Sequence, residues 1–240
     1  MGNALFTVKD VKRGRQTSVI HITLSQDDRE EVVGYVTNTN LTTETGVTFA
    51  TGWDLSLAPP PVSLPLLKSN MDVNWARQTS MPFSDFRKAS KKVFFHFPKA
   101  GQSARNISDS WLRFANGERF TNESLGYLSD MFPMPVEAFL GDEDPYAIAT
   151  APRSKRAAKF WYPTLLLNLD IKKKLPQDGV EWLFTRCLTK SIRNGRSDLE
   201  IVIRDESGEI VALSHHVTLV LDAQRNLSER SKPSTTGSKM

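Results

Sequence analysis

Strand-like segments run through most of this chain. VIHITL alternates apolar and polar residues, and KKVFFHF, LEIVIRD, EIVALSHHVTLVLD, VVGYVT and EWLFTRCLTKSI are rich in β-formers. Such segments suit strands with one face on a core. Only FTNESLGYLSDMF departs clearly from this pattern. There Leu125, Leu128 and Met131 fall at helical spacing, with Thr121 placed to cap and Ser124 three residues on. The spacing predicts one long helix, ended by Pro133 and Pro135. The fold class expected is therefore α+β, an antiparallel sheet with one helix.

Punctuation divides the chain. Residues 1–40 read as strands joined by a basic turn, KRGRQ, and a charged turn from Gln26 to Glu31. Residues 41–70 are rich in Thr, Gly and Pro, with Pro59, Pro60 and Pro61 consecutive, and read as a linker. Residues 71–222 carry the helix and the longest strands. Residues 141–156 are acidic and then basic and suggest a mobile loop, and the polar tail over 223–240 suggests disorder.

Composition removes several function classes. The 240 residues carry a formal charge of +4. The basic side chains are scattered and do not interleave with aromatic ones, so nucleic acid is not an expected partner. No apolar run approaches the roughly 20 residues that a spanning helix needs, and WYPTLLLNLDI is broken by Pro163, Asn168 and Asp170. The single cysteine, Cys187, rules out an intrachain disulfide and reads as a small buried side chain. His21 and His96 lack metal-ligand spacing with Cys187, and neither a Gly-rich phosphate loop nor a Gly-x-Ser-x-Gly elbow is present. No metal or redox cofactor is expected.

An internal repeat is visible. RGRQTSVIHITLSQDDREEVVGYVTNTN resembles RNGRSDLEIVIRDESGEIVALSHHVTL, each with a Gly-Arg turn, a strand, an acidic turn and a strand. Set side by side, Val33 falls opposite Val211 and Asn38 opposite His216.

The run from Phe160 to Asp222, with Pro163-Thr164 in its opening strand, Trp182 in the next, an Asn-Gly-Arg turn and then Asp-x-x-Gly-x-x-Val-Ala, resembles the thioesterase-like superfamily. It is most similar to fungal relatives of acyl-CoA thioesterase II, and GYLSD resembles that family's central helix. The resemblance implies a double hot-dog fold, a curved antiparallel sheet wrapped around a helix. The expected layout is a remnant of a first unit over 1–40 and a complete second unit over 71–222. A partial first unit would expose apolar surface and a strand edge, which favours homo-oligomers.

The resemblance also implies a site. In that family an Asp on the helix, a Thr on the next strand and a Gln on the last strand hold the attacking water. Matched motif to motif, these are Asp130, Thr164 and His216. Asp130, placed in a pocket, would have its pKa raised and serve as general base. Thr164 lacks an adjacent base and so orients water rather than attacking. His216 stands where the family has glutamine; glutamine only holds a group, whereas histidine exchanges protons near neutral pH. Alternation puts Ser214, His216 and Thr218 on one strand face and His215 on the other. Lys172, Lys173, Arg193 and Arg196 are candidates for the phosphates of coenzyme A. The expected partner is an acyl-CoA or related thioester. The alternative is a non-hydrolytic hot-dog protein that binds or reshapes an acyl or polyketide intermediate.

Ser238-Lys239-Met240 resembles the peroxisomal Ser-Lys-Leu address, so the expected location is peroxisomal, otherwise cytoplasmic. Deleting those three residues is expected to scatter a tagged protein into the cytosol. An unchanged pattern under the microscope would dismiss the signal.

Overall fold

The computed structural model describes residues 3–79, 88–133, 135–141 and 159–223. The loop expected over 141–156 lies almost wholly outside these residues, as do the tail beyond Ala223 and its Ser238-Lys239-Met240. The chain divides into two compact units between Trp53 and Asp54.

The first unit is an antiparallel sheet of β1 (Leu5–Arg13), β2 (Ser18–Gln26) and β3 (Arg29–Asn38), in that order. The β2–β3 turn is Asp27-Asp28, with φ of 48° and 59°. Two consecutive positive φ values make the tight turn whose twist matches the flanking strands. Leu5, Phe6, Val8, Val32, Val33 and Tyr35 are exposed on this sheet.

The second unit contains α1 (Leu64–Lys68), β4 (Trp75–Arg77), β5 (Val93–Pro98), β6 (Ile107–Phe114), α2 (Leu125–Ser129), β7 (Phe160–Trp161), β8 (Thr164–Ile171), β9 (Leu183–Arg193), β10 (Arg196–Arg204), β11 (Ile210–Leu219) and β12 (Leu221–Asp222). Seven of these strands form one sheet in the order β4-β5-β6-β9-β10-β11-β8, every pair antiparallel. The β9–β10 turn is Asn194-Gly195, with φ of 50° and 73°, the same turn geometry as in the first unit. Its inner face carries Phe95, Leu112, Leu183, Cys187, Leu199, Ile201 and Ile203, which pack with Leu125, Leu128, Met131 and Phe132 from α2 and the segment after it. This is the hot-dog arrangement. Cys187 is buried, and burial pushes its thiol up to about 12.

The helix is much shorter than its spacing suggested. A 3-10 turn at Asn122–Ser124 leads into the five residues of α2. Ser124 Oγ accepts from the Thr121 N–H at 3.0 Å and donates back to the Thr121 carbonyl at 2.7 Å. At the far end the N–H groups of Asp130 and Met131 bond three residues back, to Tyr127 and Leu128, which tightens the last turn. Phe132 then precedes a proline, which steers it away from helical backbone.

The sheet is covered on its outer face too. Leu55, Leu67, Trp75, Trp111, Trp182, Phe184 and Val202 form a second buried cluster. Trp75 stands edge-on to Phe184 and donates Nε1–H to the Pro60 carbonyl at 3.1 Å. So the later part of the stretch read as a linker, from Asp54, is part of this fold. Proline kept it out of the sheet without keeping it off the sheet. Arg186 fastens it: Nε and Nη2 each bond Asp109 at 2.7 Å, Nη2 reaches the Leu57 carbonyl at 2.7 Å, and Nη1 reaches that of Ser56.

The three strands β1–β2–β3 repeat the order of β9–β10–β11. Both second hairpins carry a bulge beside the acidic turn, Glu31 lying unpaired in β3 and Val211 in β11. Matching these bulges puts Val36, rather than Asn38, at the position of His216. The turn between β2 and β3 is shorter than that between β10 and β11, so an alignment carried forward from β2 and β10 drifts out of register.

The Arg186 and Asp109 side chains are 5% and 2% exposed. Removing one partner strands the other charge, so Arg186→Ala is expected to cost about 3–5 kcal/mol in urea unfolding. A loss under 1 kcal/mol would show that the clamp is dispensable.

Candidate functional site

A bulge in the edge strand β8 aims the first side chain of the site. Leu167, Leu169 and Ile171 of β8 pair with His216, Ser214 and Ala212 of β11 and share the inner face. Strict alternation would then turn Thr164 outward. Instead the register shifts at Leu165, so that Val217 pairs with Leu166 and Thr218 with Thr164. One extra residue flips the side chain, and Thr164 Oγ1 lies 2.9 Å from His216 Nε2. Pro163, just before, accepts from the Leu219 N–H at 2.9 Å and fixes the strand's start.

Asp130 arrives from the other side. It is the C-cap of α2, and its Oδ1 lies 3.4 Å from Thr164 Oγ1 and 3.8 Å from His216 Nε2. The three residues matched from sequence thus converge on one triangle of polar atoms. Its environment is lopsided: the Asp130 side chain is 49% exposed and Thr164 is exposed, whereas the His216 side chain is fully buried. The arrangement is open to solvent at the carboxylate and sealed at the imidazole. A water meeting this triangle would find both donors and acceptors, because a hydroxyl, a carboxylate and a ring nitrogen supply them.

Burial decides how His216 behaves. It pushes the ring's pKa from the ordinary 6.5 down to about 4; the Ser129 carbonyl beside the ring offsets this only in part, and the neighbouring His215 adds to the lowering. The ring is therefore neutral near pH 7, and the proton exchange expected from residue type gives way to a neutral hydrogen-bonding role. His215, on the opposite face, lies 3.5 Å from Asp198.

The seal is aromatic, and no sequence signal marks it. Phe132 stands perpendicular to the His216 ring at 4.9 Å and meets Tyr162 edge-on at 6.4 Å. The Tyr162 hydroxyl donates to Glu137 Oε2, and Glu137 Oε1 accepts from the N–H groups of Lys159 and Phe160 at 3.2 and 3.3 Å. Burial raises the Glu137 carboxyl, and the Tyr162 hydroxyl and these backbone donors partly offset it. Glu137 thereby holds the segment that leads into Thr164. A lone acid in VEAFL, just past two prolines, was the available clue.

The four cationic candidates separate. Arg193 and Arg196 flank the β9–β10 turn, and Arg196 pairs with Leu219, at the same end of the sheet as Thr164. Both are exposed. Lys172 and Lys173 lie beyond the opposite end of β8, about 23 Å away at roughly 3.3 Å per residue. There Lys172 pairs with Asp170, and Lys173 with Asp205 and Glu209. The structure does not bring these two lysines to the triangle. Among the described residues no group of three or more His, Cys, Asp or Glu gathers as a metal site, and no helix is long and apolar enough to cross a membrane.

The sequence model of the acyl-CoA thioesterase C-terminal domain matches residues 54–220, and that of the N-terminal domain matches residues 1–39. The thioesterase-like protein TwmA of Talaromyces wortmannii is 32% identical, over 96% of this chain and 75% of its own. Among solved structures, a hot-dog protein of unknown function from Alicyclobacillus acidocaldarius has a TM-score of 0.62 at 14% identity, covering 90% of this chain and 72% of that one. Acyl-CoA thioesterase II TesB2 of Mycobacterium marinum has a TM-score of 0.51 at 15% identity, covering 96% and 76%. At these identities the two structures speak to fold alone.

The His216 environment sets a pH dependence. Between about pH 6.5 and 4 the unfolded chain takes up a proton that the folded ring refuses. Stability is therefore expected to fall as pH falls through that window. His96, held down to about 4 chiefly by burial, acts in the same direction. Urea unfolding across the window should show a shallower slope for His216→Gln than for the parent chain; equal slopes would contradict the burial argument.

Proposed function

The chain belongs to the acyl-CoA thioesterase family, and from that membership we propose that it hydrolyses an acyl-CoA thioester using water held by Asp130, Thr164 and His216. One observation carries the reading: three side chains from α2, β8 and β11 meet within 3.8 Å, with Asp130 and Thr164 open to solvent and His216 buried behind them. In this scheme Asp130 takes a proton from the water. The resulting hydroxide attacks the thioester carbon, and the tetrahedral intermediate collapses with loss of the coenzyme A thiolate. The proton held by Asp130 passes to the departing thiolate.

Thr164 and neutral His216 have positioning roles. An ionised carboxylate only accepts, so the Thr164 hydroxyl serves Asp130 or the water best as a donor, with Nε2–H of His216 donating to Thr164 in turn. On this reading histidine does the work of the family's glutamine, because burial has removed the property by which the two differ. Arg193 and Arg196 are proposed to meet the coenzyme A phosphates near the site end of the sheet. Lys172 and Lys173 are left out, since their charges are already matched at the other end.

Release of free thiol from a panel of acyl-CoAs tests this. Asp130→Asn is expected to lower kcat by roughly 100-fold or more, the usual contribution of a general base. Equal turnover by the variant would remove Asp130 from the role.

A further inference from the structure

Glu137 follows Asp130 in the chain, and its bonds reach the residues that lead into Thr164. It sits in a single 3-10 turn, Glu137–Phe139, just past Pro133 and Pro135. Oε1 takes the N–H groups of Lys159 and Phe160, and Oε2 takes the Tyr162 hydroxyl. Tyr162 then meets Phe132, and Phe132 stands on the His216 ring. One carboxylate is thus joined to all three corners of the triangle. It reaches Asp130 along the chain, Thr164 through Tyr162 and Pro163, and His216 through Tyr162 and Phe132.

The triangle does not hold itself together. Thr164 Oγ1 and Asp130 Oδ1 are 3.4 Å apart, too long a contact to fix the geometry alone. Other bonds fix Thr164 against the sheet: β7 pairs with β12, the Ala223 N–H donates to the Lys159 carbonyl at 3.0 Å, and the Leu219 N–H donates to the Pro163 carbonyl at 2.9 Å. Those bonds run to β11 and the residues after it. They do not reach the side of the site that carries Asp130. The three bonds of Glu137 do, because its turn belongs to the segment that continues from α2.

We propose that Glu137 is a positioning residue for thioester hydrolysis, setting the approach of Asp130 to Thr164 by tying the residues before Thr164 to the turn that follows Asp130. The inference rests on the thioesterase reading and adds to it a residue that touches neither substrate nor water. Glutamine in this place keeps the ties, since its oxygen accepts from the two N–H groups and its amide donates to the Tyr162 oxygen. Alanine removes all three. A misplacement of about 1 Å at a reacting group costs on the order of 100-fold in rate.

The test pairs turnover with the state of the resting site. On an acyl-CoA panel, Glu137→Ala is expected to lower kcat by roughly 10- to 100-fold with KM within about twofold of the parent. Glu137→Gln is expected to recover kcat to within about threefold. Each variant is assayed well below its own melting temperature, so that unfolded protein does not pass for lost turnover. The ring-proton resonances of His216, identified by their loss in His216→Gln, report the placement of Phe132 above them. Glu137→Ala is expected to move them toward the positions they take in Phe132→Leu, with those of His96 unmoved, and Glu137→Gln to restore them. A role in stability alone would lower the melting temperature and leave these resonances in place. An unchanged kcat in Glu137→Ala, an equal loss in both variants, or unmoved His216 resonances would overturn the proposal. If Glu137→Ala does not fold, Tyr162→Phe replaces it, removing one tie and keeping the ring, with kcat expected to fall roughly 3- to 10-fold at constant KM; unchanged kcat there overturns the proposal. If no thioester of the panel is hydrolysed, the hydrolase reading fails on its own. The His216 resonances then decide the positioning: moved by alanine and restored by glutamine supports it, unmoved overturns it.

Discussion

Sealing an imidazole beneath an aromatic ring, one hydrogen bond from solvent, is the constraint on which this site depends. His216 has no exposed surface, and Phe132 closes its face. Burial keeps the ring neutral down to about pH 4. Its Nε2 is then a fixed polar group against Thr164 rather than a titrating one. Everything around the ring serves that placement. The bulge at Leu165 turns Thr164 inward, the clipped end of α2 delivers Asp130, and Glu137 holds Lys159, Phe160 and Tyr162 just ahead of Thr164.

The sheet that carries His216 is packed on both faces. Apolar side chains from the α2 region fill the inner face, and a proline-rich segment with tryptophans fills the outer. Arg186 joins the two demands. It neutralises Asp109 within the sheet and holds the carbonyls of Ser56 and Leu57 outside it. Leu57, with φ of 57°, sits in a backbone region unfavourable for its residue type, and one of these bonds fixes its carbonyl.

The strands, the two tight turns and the buried cysteine were legible because each follows from local rules: alternation, paired positive-φ turn residues and burial. The triangle was legible only through resemblance, since Asp130, Thr164 and His216 are far apart in sequence. What escaped was non-local. No periodicity shows that Leu165 is a bulge, for which partner strands must be known. Helical spacing in FTNESLGYLSDMF overstated the helix, because two or three apolar residues at that spacing also suit a short turn feeding a core. Histidine chemistry was misjudged for the same reason: residue type gives a pKa near neutrality, and the burial that overrides it is a property of the fold. Lysines in a run looked available for phosphate, while the acidic partners of Lys173, Asp205 and Glu209, lay on a hairpin more than thirty residues away.

The central claim is that water bound at the triangle attacks the thioester carbon directly, with Asp130 as its base. Single-turnover hydrolysis of an acyl-CoA in water enriched in oxygen-18, with enzyme in excess, tests it most directly. Direct attack predicts one heavy oxygen in the released fatty acid in the first turnover and none in Asp130. Label appearing in the Asp130 carboxylate would mean that the carboxylate itself attacks, and would contradict the account.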